Sequence, residues 1–134
     1  MDLQNLNYAL TQVAHNFGAV IVVAAPLYIL VSRPEHQRRT LWLVLIGWGL
    51  QILSGILFGG ISLYYYGILP DIRGVAVLAL VIKVLSALAA LGMIIMSLRA
   101  QPSWNLRRVT WMWRGLAVLG IVALTAAAFL RWYS

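Results

Sequence analysis

Four long apolar runs alternate with short polar ones along the chain. The first extends from about Tyr8 to Val31 and stops where Ser32-Arg33-Pro34-Glu35-His36-Gln37-Arg38-Arg39 brings a proline and charges. The second covers about Leu41 to Tyr64, and the segment after it carries Gly67, Pro70, Asp71 and Gly74 in turn-forming order. The third covers about Val75 to Leu98, and Arg99 to Arg108, with Pro102, separates it from the fourth, about Val109 to Leu130. Each run has the roughly 20 residues that a helix needs to cross the hydrocarbon core of a bilayer. Backbone in lipid must be satisfied within its own segment, so the pattern predicts an all-α integral membrane protein. The expected fold is a four-transmembrane-helix up-down bundle, one domain over residues 1–134, with spans at about 8–31, 41–64, 75–98 and 109–130. The leader Met1 to Asn7 is acidic and polar and lacks a cationic stretch, so the first run is expected to be a retained span and not an export signal.

Composition agrees with the pattern. The 134 residues have mean hydropathy +0.89, 63% are hydrophobic and 10% charged, which leaves too little polar surface to cover a soluble domain. Cysteine is absent, which removes disulfides, thiolate metal sites, iron–sulfur clusters and covalent haem attachment from consideration. A net charge of +7 would suggest nucleic acid in a soluble protein, but the arginines gather between the spans, so no nucleic-acid partner is expected. Arg33, Arg38 and Arg39 lie in loop one and Arg99, Arg107 and Arg108 in loop three, whereas loop two is neutral. The positive-inside bias then places loops one and three in the cytoplasm and both termini on the periplasmic or extracellular side of a bacterial inner (plasma) membrane. Trp42, Trp104, Trp111 and Trp113 are expected at the inner interface, and Tyr8, Tyr64, Tyr65, Tyr66, Trp132 and Tyr133 at the outer one.

A faint internal repeat runs through this frame. Arg33 and Pro34 lead to Arg38-Arg39 and Trp42, as Arg99 and Pro102 lead to Arg107-Arg108 and Trp111. Two helical hairpins of the same orientation, related by an axis along the membrane normal, would follow. The alternative is that loops at this face simply tend toward Arg, Pro and Trp.

Polar groups inside the spans carry whatever chemistry the chain has. Lys83 lies about nine residues into span three, roughly 14 Å below its outer end, where an ammonium costs a few kcal/mol unless it faces the bundle, a ligand, or snorkels to the headgroups. His15 stands before Pro34 at the same interval as Lys83 before Pro102, so the repeat sets both at one depth. Gln12, His15, Asn16 and Ala19 share a helix face, expected to be the interior face of span one, and span two offers Gln51 on the stripe Gly47, Gln51, Gly55, Gly59. No acid lies within a span, so the partner of Lys83 is expected to be an anionic or carbonyl-bearing ligand, such as a haem propionate or a quinone oxygen, unless the amine is neutral. His15 reads either as a packing histidine or as a ligand to metal or haem. Met93, Met96 and Met112 bring three thioethers to similar depth, a donor type suited to Cu(I), although methionine also fills gaps in any apolar core.

The run Ala14-His15-Asn16-Phe17-Gly18-Ala19-Val20, together with Leu80-Val81-Ile82-Lys83-Val84-Leu85, resembles the membrane domain of CopD-type copper-resistance proteins, small four-helix bacterial membrane proteins. The resemblance implies copper or haem handling with His15 and Lys83 at the family's polar positions. A bis-histidine haem would need a second intramembrane histidine, which this chain lacks. Two functions are therefore expected from the sequence. One is a small membrane protein whose buried polar site (His15, Lys83, Gln12, Asn16, Gln51) binds a metal, haem or quinone. The other is a non-catalytic accessory or scaffold subunit, working as a homodimer or within a larger membrane complex. No nucleophile with a base, acid pair or phosphate loop is present, so no enzyme is expected.

Overall fold

The computed structural model describes residues 3–32, 38–68, 71–100 and 104–133. Four helices account for nearly all of them: α1 (Leu3–Ser32), α2 (Arg38–Tyr66), α3 (Val75–Ala100) and α4 (Leu106–Tyr133). All four are long and apolar enough to cross a membrane. Each contains its apolar run, and α1, α2 and α4 extend beyond it at both ends, because backbone hydrogen bonding does not stop where hydropathy changes. The end of the bundle that carries the arginine-rich segments is called the arginine end below, and the opposite one the tyrosine end.

Local chemistry sets the helix ends. Gly67 adopts φ +68° and donates its N–H to the Leu63 carbonyl at 3.0 Å, a left-handed stop open to glycine at little steric cost. Gly74, at φ +53°, opens α3. Asn105 caps α4, its Oδ1 accepting the Arg108 N–H at 3.0 Å.

The helices pair as two hairpins, α1 with α2 and α3 with α4; α1 also packs along α4, whereas α2 and α3 touch only briefly. Small residues allow the close approaches. A Cβ on Gly18 would stand 2.9 Å from the Gly47 carbonyl oxygen, and one on Gly47 would stand 2.7 Å from Ile21 Cγ2, so α1 and α2 meet nearly backbone to backbone. Ala76, Ala79, Ser86, Ala87, Ala90 and Ser97 give α3 a buried stripe of the same kind. The α1–α4 contact has a further cause. Pro26 lies buried inside α1 and has no N–H, so the Val22 carbonyl lacks its usual partner one turn on. Gly120 of α4 packs on that carbonyl so closely that a Cβ there would be 2.6 Å from the oxygen. Only a glycine Cα presents so little bulk to an exposed backbone oxygen.

Bulk is unevenly distributed along the bundle. Trp48, Trp113, Leu41, Val44, Ile94, Val109 and Leu116 are almost wholly buried toward the arginine end. Toward the tyrosine end the buried positions are small or polar: Ala76, Ala79, Thr11, Gln51, Ser54 and Ser86. Ser54, Ser86, Ser97 and Thr11 return their hydroxyl protons to the carbonyl four residues earlier, which satisfies them without a partner helix. The buried indole N–H groups of Trp48 and Trp113 have no acceptor among the described residues.

Three sequence expectations change here. Trp113 is 0% exposed and belongs to the core, while Trp111, at 60%, faces outward as expected. The interior stripe of α1 is Thr11, Gly18, Val22, Pro26 and Ile29, with Gln12 half-buried and Asn16 exposed. On α2, Gly47 and Gln51 are buried, but a Cβ on Gly55 or Gly59 would meet nothing within 4 Å. The stripe Gly47-Gln51-Gly55-Gly59 drifts about 40° per four residues on a 3.6-residue helix, so its far end leaves the α1 contact.

Candidate functional site

Four of the residues at the tyrosine half of the bundle form a connected polar group. His15 projects from α1, and its Nδ1 lies 2.7 Å from Ser54 Oγ on α2. Ser54 Oγ in turn donates to the Leu50 carbonyl. Because the serine proton is committed to that carbonyl, Nδ1 must be the donor to Ser54, which leaves Nε2 as the unprotonated, accepting nitrogen. Lys83 reaches across from α3 and places Nζ 3.3 Å from this Nε2, so its ammonium or amine donates to the ring. A directed chain results: Lys83 to His15 to Ser54 to the backbone of α2. Gln51 secures the arrangement from below by donating its Nε2 to the His15 carbonyl at 2.5 Å. Phe58 closes the ring from the side, edge-on at 5.8 Å between centroids.

This chain joins three helices, and the α1–α3 link runs diagonally across the bundle. It is available because α2 and α3 barely touch, which leaves room for the lysine stem. Lys83 is half-buried and spends one donor of up to three on His15; no other acceptor engages it among the described residues. Its sequence neighbours Val81, Ile82, Val84 and Leu85 are exposed and apolar.

The site expected from the sequence is thus brought together in part. His15, Lys83 and Gln51 meet. Gln12 and Asn16 do not join them; Gln12 Nε2 donates to Asn16 Oδ1 at 2.7 Å, one turn along the outside of α1. Met93, Met96 and Met112 do share one groove, between α3 and α4, but it lies at the arginine end, about 15 Å along α3 from Lys83. Among the described residues no group of three His, Cys, Asp or Glu could hold a metal ion.

Two functional candidates escape the sequence reading. Ser54, the acceptor that fixes the histidine tautomer, looks like any serine in an apolar helix; its spacing of three from Gln51 was the available signal. Arg114 stands inside the fourth apolar run and is exposed, with its guanidinium 5.4 Å from the centre of the Trp111 ring. The Trp-x-x-Arg spacing anticipates that stacking.

No family model, curated protein or solved structure matches this chain. The reading of the site rests on its geometry.

Proposed function

We propose that the chain is a multi-pass membrane protein that holds a carbonyl-bearing apolar ligand, a quinone in chemical class, at Lys83. The observation that carries this reading is the hydrogen-bonded chain from Lys83 through His15 and Ser54. It fixes a half-buried N–H donor beside an apolar helix surface, with N–H capacity to spare. In lipid an unspent N–H is costly, and a carbonyl oxygen diffusing in the bilayer is the acceptor such a medium supplies. The metal and haem readings fit less well: both His15 nitrogens are already engaged, and ligation would require Lys83 to leave Nε2. The copper handling implied by the resemblance to CopD-type proteins would face the same obstacle at His15, leaving the methionine groove as its donor set among the described residues.

Organic extraction of the gently purified protein tests the proposal. Near-stoichiometric quinone is expected from the native chain, and none from Lys83→Met, which keeps side-chain length and removes the donor. Full quinone occupancy in Lys83→Met would overturn the assignment. An extract with no quinone, from a preparation that shows haem absorption or bound copper, would restore the readings now set aside. The orientation proposed for the bundle, arginine end inside the cell, is read by cysteine labelling at Leu106→Cys and Ile68→Cys; labelling of the former alone from outside would reverse it.

A second reading, that of a subunit in a homodimer or larger membrane complex, is favoured by a separate observation. The Gln12–Asn16 amide pair is turned outward within an apolar helix, and Gly55, Gly59 and Gly60 stand where an added Cβ meets nothing. A helix packed against either feature would cover it. A monomeric mass in mild detergent, with no copurifying protein, would refute it.

A further inference from the structure

At the arginine end, α3 and α4 separate to leave a groove of about 540 Å³. Its floor is apolar and pliable, formed by Met93 and Met96 of α3 and Met112 of α4. Its mouth is cationic, with Arg107 and Arg108 in the first turn of α4, where the helix dipole also favours an anion. Trp104 and Trp111 flank it, the ring type favoured at the headgroup level of a bilayer, and Arg114 stacks on Trp111. Among the described residues nothing neutralises these charges: the single carboxylate there, Asp71, pairs with Arg73 at 2.9 Å at the opposite end.

We infer that this groove seats one anionic phospholipid, its phosphate against Arg107 and Arg108 and its upper acyl chain along the three methionines. Guanidinium groups bind phosphate through paired N–H donors, and two of them with no carboxylate beside them among the described residues discriminate in favour of a lipid that carries net negative charge. The amphipathic order of the groove, charge at the mouth and thioethers below, matches a lipid rather than a free ion, which would gain nothing from the floor. Basic pockets between spans at the cytoplasmic face are a recognised way of holding such headgroups. The inference needs only that the helices cross a bilayer; it is independent of the quinone assignment.

Native mass spectrometry of the full chain in mild detergent, titrated with phosphatidylglycerol or phosphatidylcholine, tests it. Phosphatidylglycerol is expected to be retained about thirtyfold more tightly, given the contribution of each of the two arginines near an anionic headgroup. The pair Arg107→Gln and Arg108→Gln should abolish that preference. Removing the same charge from the other hairpin, by Arg38→Gln and Arg39→Gln, should preserve it. Equal loss in both pairs would overturn the groove in favour of a diffuse positive surface. Met96→Gln, which leaves the charge intact, should weaken lipid retention severalfold; no effect there, with displacement of lipid by inorganic phosphate, would overturn the lipid in favour of a free-anion site. Flotation of the same variants with vesicles at high salt reports bilayer insertion separately. Flotation without lipid preference therefore sinks the groove alone, and failure to float sinks the membrane reading itself.

Discussion

The contact between Gly120 and the Val22 carbonyl makes a quantitative prediction. Gly120→Ala places a methyl group 2.6 Å from that oxygen and 3.2 Å from its carbon, about 0.8 Å short of ordinary contact. The obstacle is backbone, so no rotamer change relieves it, and α4 must move away from α1. Overpacking of this kind costs about 1–3 kcal/mol. Alanine also brings a helix-propensity gain of up to about 1 kcal/mol, which would blur the result if the variant were measured alone. Gly55→Ala supplies the reference: it takes the same gain in a helix interior where a Cβ meets nothing within 4 Å. The difference between the two variants isolates the clash, and Gly120→Ala should be the less stable by about 1–3 kcal/mol. Reversible unfolding in mixed micelles of increasing dodecyl sulfate content, followed by helix circular dichroism, measures it. Equal stabilities of the two variants would refute the claim that α1 and α4 meet at this carbonyl, and with it the role assigned to Pro26.

Other substitutions probe the polar chain and the bundle ends. Ser54→Ala removes the acceptor for the His15 Nδ1–H and should cost about 1–3 kcal/mol in the same titration, with the ring nitrogens losing their single-tautomer signature in nitrogen-detected NMR. Lys83→Met should be neutral or stabilising for the fold, because the burial cost of the polar amine offsets its one bond to His15, and a loss above about 2 kcal/mol would mean that this bond outweighs the burial cost. Tyr66→Phe deletes the 2.6 Å bond from Gln4 at the exposed tyrosine end and should change stability by less than about 1 kcal/mol.

The sequence reveals this protein unevenly, for physical reasons. Helix positions are legible because charges and prolines bound each apolar run, and α1 through α4 contain the four expected runs. Which way each helix faces is far less legible, since both the lipid and the bundle interior accept apolar side chains. Spacing alone therefore points Asn16 to the interior, and residue type points Trp113 to the interface, where the structure turns both the other way. Polar groups are the exception. His15 and Lys83 could be set at one depth by the repeat, and the structure brings them to 3.3 Å. Ser54 remained hidden because a serine that can satisfy itself on its own helix gives no sign of serving another residue.

The pairing of helices into two hairpins also bears on how the bundle assembles. As a chain emerges from its amino terminus, α1 and α2 are complete before α3 exists. Every interaction that settles His15 apart from Lys83 lies within that first hairpin: Ser54 Oγ accepts the hydrogen bond from Nδ1–H, Gln51 holds the carbonyl, and Gly18 and Gly47 let the two backbones close. The first hairpin can thus form with its histidine already half satisfied. Lys83 arrives with the second hairpin and finds a single oriented acceptor waiting. Joining the halves is then a search for one polar match and one glycine-sized gap at Gly120, which together select a unique register for α3 and α4 among apolar surfaces that would otherwise slide.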